Sequence, residues 1–206
     1  MRWIMREEFR VAYEKAGEVL DRMPDRKGEM IRTSDIIDVI QQMLNINVRY
    51  FDYDFSELSE EKSEMDFSKY GAAMCVSDDG EKRLAKILLN KNETAKMKRF
   101  SLVHELGHLI TKSTVEVHGY QVSTHIDMDI TTIPDSILDD KRYGFLLNEQ
   151  IANIFALLVL IPYDMLRESL SKYDSLEQIA NRFGVEKDAL FSRLMLEDAK
   201  GILNAE

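Results

Sequence analysis

Residues 94–112 read TAKMKRFSLVHELGHLITK, and this stretch decides how the rest of the chain is read. Phe100, Leu102, Val103, Leu106, Leu109 and Ile110 recur at helical spacing. Inside the expected helix, His104-Glu105-Leu106-Gly107-His108 carries the H-E-x-x-H pattern. At about 100° per residue, His104 and His108 lie only about 40° apart on the helix wheel. Two imidazoles one turn apart reach the same metal ion. Glu105 lies about 60° from His108, beside the metal rather than on it, where a general base belongs. Gly107 leaves room on the other side, and Leu106 points toward the core. The bland alternatives are a chance match or a structural histidine pair. With four histidines in 206 residues, about 0.01 chance matches are expected.

Zinc suits two neutral imidazoles, and a catalytic zinc takes a third protein ligand and keeps one position open. A metzincin would continue with glycine at position 111 and histidine at position 114, but Thr111 and Thr114 stand there, which excludes that class. A glutamate from a later helix is the other common choice. Glu149 is the leading candidate. Ala152, Asn153 and Ala156 follow it at i+3, i+4 and i+7, so a small-residue face lets its helix come close to the motif helix. Asn153 is placed for a hydrogen bond to a ligand histidine. A charge in so apolar a helix needs a partner, and a metal supplies one. Glu116, His118 and His125 in the segment after the motif helix are rivals. His118 or Tyr120 is also a candidate for steadying an oxyanion, against the commoner reading of a surface loop residue.

Outward from the site, residues 5–23 and 33–44 have helical periodicity, with Thr33 or Ser34 as a cap of the second helix. Residues 45–53 alternate and are rich in β-formers. Residues 71–76 and 84–89 flank Asp78-Asp79-Gly80 and read as a hairpin. The expected sheet is small, three-stranded and antiparallel. Residues 143–161 form a long apolar helix. From Ser175 two short helices follow, with a capping box of Ser175 and Gln178 and a stop at Gly184. Residues 56–69 are acidic and read as an exposed loop or a frayed helix. Residues 114–142 are long for a connection between packed helices. Their alternating part, 115–126, offers a strand edge to an extended substrate, with a lid or structural hairpin as the alternative.

The chain length suits one domain with a helical appendage. A net charge of −10 argues against non-specific binding to nucleic acid or anionic membranes. Cys75 is the single cysteine, so no internal disulfide forms and a reducing, cytoplasmic setting is expected. The opening MRWIMREEFR is charged throughout and has no apolar core of a signal peptide. The longest apolar run, 151–161, is broken by Asn153 and ends at Pro162. It is about half the roughly 20 residues of a membrane span.

Two motifs together resemble the ImmA/IrrE family of metallo-endopeptidases. They are Phe100-Ser-Leu-Val-His-Glu-Leu-Gly-His108 and Glu149-x-x-Ala152-Asn153-x-Phe155-Ala156, which leads to Ile161-Pro162. The strand Ile87-Leu-Leu-Asn90 and the tail from Ile179 through Gly184-Val185 and Leu190 to Arg193-Leu194 also look like the family's. The resemblance covers about residues 33–195. It implies a cytoplasmic zinc endopeptidase with His104, His108 and Glu149 as zinc ligands and Glu105 as base. Family members typically cleave a helix-turn-helix repressor, often of a phage, mobile element or stress regulon, and so derepress genes. Many carry a further histidine where this chain has Lys112, and the 114–142 segment is longer than usual.

The expected fold is therefore α+β: a mostly helical, zincin-like metallopeptidase domain over 1–170, with a helical tail over 171–206. The competing reading is a metal-bound regulator that binds protein or DNA without proteolysis, suggested by the helix-turn-helix-like spacing of 175–195. Glu177, Arg182, Glu186, Lys187, Asp188 and Arg193 make no basic recognition face there. The tail reads as packing or as a surface for a protein partner, with no direct contact to nucleic acid.

Overall fold

The computed structural model describes residues 9–24, 30–55, 71–78, 83–111 and 142–199. Within them the chain runs through α1 (Arg10–Asp21), α2 (Thr33–Leu44), β1 (Asn47–Tyr53), β2 (Ala72–Asp78), β3 (Arg83–Asn90), α3 (Ala95–Thr111), α4 (Arg142–Leu160), α5 (Tyr163–Lys172), α6 (Leu176–Phe183) and α7 (Lys187–Ala199). This is a mostly helical α+β fold around one small sheet.

Local chemistry sets several of the helix ends. Thr94 Oγ1 accepts from the Met97 amide at 3.1 Å and so caps α3. Ser175 Oγ accepts from the Gln178 amide, and Gly184 closes α6 in the left-handed region at φ 63°. Asn45 ends α2 the same way at φ 49°. Neither Thr33 nor Ser34 caps α2. The N-cap is Arg32, which makes no side-chain cap bond. The Thr33 hydroxyl instead accepts from Arg99 Nη1 at 2.8 Å, a partner far along the chain. Helix α5 has no counterpart in the sequence reading. It begins directly after Pro162, whose φ of −60° suits a helix start as well as a helix end.

The sheet order is β1-β3-β2. β2 and β3 pair antiparallel, with Met74 opposite Ile87, as the hairpin reading expects. The turn residues 79–82 lie outside the described set. β1 pairs with β3 in parallel, with Tyr50 opposite Ile87, so the sheet is mixed and not antiparallel throughout. The reason is the connection. The link from β1 to β2 is long enough in residues to cross the width of a third strand, and the link from β2 to β3 is short in residues, so β3 can lie between them. β3 earns the centre by composition: Ala85, Ile87 and Leu89 are all buried.

α3 packs on β2 and β3, and α4 packs on α3 from the other side. α1 covers α4, and α7 also lies against α4. Ile179, Ala180, Phe183, Val185, Leu190 and Leu196 from the last two helices and the turn between them belong to the same hydrophobic core as Leu102, Leu106 and Phe155. Among the described residues no single helix is long and apolar enough to cross a membrane.

Candidate metal centre

Every residue of α3 from Ser101 to Ile110 is buried. The helix is covered on all sides, by the sheet on one and by α4 on another. Leu106 contributes to the core, as its position on the wheel demands. His104, Glu105 and His108 are 3%, 1% and 6% exposed, and Glu149 from α4 is 5% exposed. Four ionisable groups at such depth need an electrostatic reason.

The geometry gives one. His104 Nε2 and His108 Nε2 lie 3.1 Å apart. Glu149 Oε2 is 3.3 Å from His104 Nε2, and Glu149 Oε1 is 3.2 Å from His108 Nε2. The two imidazole rings stand nearly perpendicular, at 85°. On its far side, His104 Nδ1 meets Asn153 Oδ1 at 2.8 Å. The amide oxygen accepts, so Nδ1 carries a proton, and when the ring is neutral, as a metal ligand must be, its Nε2 lone pair faces His108 and Glu149.

Two imidazole nitrogens and the two oxygens of the Glu149 carboxylate thus converge, and something positive must hold them there. Burial pushes the Glu149 carboxyl up, but hydrogen bonds from His104 and His108, with their charges, outweigh it and bring the carboxyl down to about 2. A metal ion fits this arrangement. Ligands at about 2.0–2.1 Å from a tetrahedral zinc lie about 3.3 Å from one another, which is the separation seen here. Among the described residues, His104, His108 and Glu149 form a group able to hold a metal ion.

Close helix contact makes this possible. A Cβ at Gly107 would lie 3.0 Å from Phe155 Cδ1, 3.1 Å from the Ala152 carbonyl oxygen and 3.2 Å from Ala152 Cα. The glycine on α3 and the alanine on α4 therefore let the two backbones touch, which brings Glu149 within reach of both histidines. The small-residue face of α4 does what its sequence suggests. Gln150, beside Glu149, is buried as well and was not singled out by the sequence reading. Its only signal was a polar side chain opening an apolar run. The rivals Glu116, His118 and His125, the oxyanion candidates His118 and Tyr120, and the strand edge at 115–126 lie outside the described residues.

Residues 67–195 match the family model of the Peptidase M78, IrrE N-terminal-like domain. The chain belongs to this family. The match starts later than the resemblance read from residue 33 and ends at the same place, within α7. It takes in both motifs, so the M78 assignment and the buried donor cluster describe one site, that of a metallopeptidase. No individually characterised protein matches the chain significantly.

Proposed function

We propose that this M78 member is a zinc-dependent endopeptidase whose zinc is held by His104, His108 and Glu149. The observation that carries the reading is that the two Nε2 atoms lie 3.1 Å apart and each lies 3.2–3.3 Å from one oxygen of the Glu149 carboxylate, separations that suit ligands of tetrahedral zinc. Bound zinc supplies Lewis acidity toward water and the scissile carbonyl at neutral pH. Glu105 does the proton work: its carboxylate takes a proton from the attacking water and returns it to the departing amide nitrogen. Asn153 keeps His104 in the tautomer that presents Nε2. Burial of the whole set in α3 and α4 excludes stray water and keeps these interactions strong.

The family resemblance supports a protein substrate, and we propose a helix-turn-helix repressor, cleaved in the cytoplasm so that its target genes are derepressed. Direct action on DNA is disfavoured by how the tail uses its charges. Arg193 is buried, Arg182 reaches Tyr173 and Glu168, and Glu186 accepts from Thr94. The test has two parts. Purified protein should hold about one zinc per chain, measured by mass spectrometry of the native protein. Incubation with candidate repressors should yield defined fragments that a chelator suppresses. Protein with one zinc per chain that cleaves none of a panel of such repressors would favour a metal-bound regulator without proteolysis.

A further inference from the structure

The α6–α7 unit touches both helices that carry the site. At the start of α3, Thr94 Oγ1 donates to Glu186 Oε1 at 2.8 Å, and Lys96 Nζ donates to Asn181 Oδ1 at 2.6 Å. Asn181 lies in α6 and Glu186 directly precedes α7, so these bonds grip the turn between them. Gly184 makes that turn, and a Cβ there would lie 2.6 Å from Met30 Sδ and 3.5 Å from Arg99 Nε. The turn is thus pressed onto α3 and onto the segment leading into α2.

The second contact is at the end of α4. Arg193 Nε donates to the Ile161 carbonyl at 3.0 Å. The Ile161 amide still bonds back to Leu157, so this carbonyl belongs to the last helical turn. Such carbonyls lack an intrahelical donor, and a cation is favoured beside them. Arg193 is 1% exposed and its Nη1 pairs with Glu197, also buried. A buried ion pair is a poor way to gain stability, because an apolar pair of similar volume does as well or better. It is a good way to fix where one helix end sits relative to another.

We propose that α6–α7 is a brace that sets the spacing of α3 and α4, with Arg193 as its positioning residue, and so tunes how tightly and in what geometry His104, His108 and Glu149 hold their metal. The inference rests on the metal-centre reading given above. The brace grips α3 about two and a half turns before His104 and α4 three turns after Glu149. Stiff helices carry a shift at either end to the donor atoms.

The test uses the full chain in two variants. Arg193→Met with Glu197→Leu removes both buried charges together and leaves no lone carboxylate inside. Asn181→Ala with Glu186→Ala loosens the turn by surface changes alone. Zinc affinity is measured by chelator competition, and coordination geometry by the visible spectrum of the cobalt(II)-loaded protein. The expected result is zinc binding weakened by about 3- to 30-fold and an altered cobalt spectrum. Arg193→Lys, which keeps a cation at the Ile161 carbonyl, should recover part of both. Parental affinity and parental spectrum in both variants would overturn the brace. Should the buried double variant not fold, the surface variant alone decides by the same readings. If the parent takes up no stoichiometric zinc, the metal-centre reading fails and the brace with it. If the parent binds zinc and the variants bind identically, only the brace fails.

Discussion

Asn153 Oδ1 stands 2.8 Å from His104 Nδ1, one helical turn along α4 from Glu149. One helix therefore supplies both a direct partner for the two Nε2 atoms and the acceptor that orients one of them. Replacing Asn153 by leucine removes the acceptor and leaves the three donor atoms. Zinc affinity should fall by about 10- to 100-fold, as for other partners of ligand histidines. Asn153→Asp, which still accepts, should keep most of it. Chelator competition measures both, and a leucine variant with parental affinity would show that packing alone orients the ring.

Glu105 and Glu149 should separate chemistry from binding. Glu105→Gln removes the base and no donor of the cluster. It should retain one zinc per chain while cleavage falls by about 100-fold or more. Glu149→Ala should weaken zinc itself. Normal zinc content in Glu149→Ala, with loss in Glu116→Ala, would transfer the third-ligand role to the rival.

Gly107→Ala places a methyl group 3.0–3.2 Å from Phe155 and the Ala152 backbone. The phenyl ring is able to turn, but the carbonyl oxygen and Cα are not, so the helices must part by a few tenths of an ångström. We expect a stability loss of about 1–3 kcal/mol together with weaker zinc binding. Urea unfolding with and without zinc separates the two effects. Ala152→Gly in the same chain should restore little, because the Ala152 atoms in contact are backbone atoms.

Acid acts on the metal-free protein through Glu149. Its carboxyl is lowered from 4.5 to about 2 in the folded chain. A carboxyl depressed by folding adds stability that is complete above its unfolded value and is lost as pH falls toward its folded one. In chelator, parent and Glu149→Gln should therefore converge in stability as pH drops from 4.5 to about 2. Denaturation midpoints across that window provide the check, and a constant gap would contradict the assignment. The zinc-loaded protein should release its metal on acidification as protons compete for the imidazoles.

The site was legible in the sequence because its logic is local. Four-residue and three-residue spacings put His104, His108 and Glu105 on known parts of one wheel, and the same spacings put Asn153 and Ala152 on the face of Glu149. What the sequence hid is long-range. The direction of β1 depends on where its connection lands, and no residue of β1 encodes that. Thr33 has the chemistry of a cap, but Arg99 competes for its hydroxyl from across the fold. Arg193 looks like one surface charge among several, and the packing of α7 in the folded chain buries it. Helix α5 is short, and Pro162 reads more readily as an end than as a beginning.

The enclosure of α3 has a consequence for motion. From Ser101 to Ile110 its residues are buried on every side, so the amides there should exchange with solvent deuterium only when the whole molecule opens. The histidines then belong to the slowest-exchanging part of the chain. The helix that bears the chemistry is then a fixed platform on the timescale of local opening.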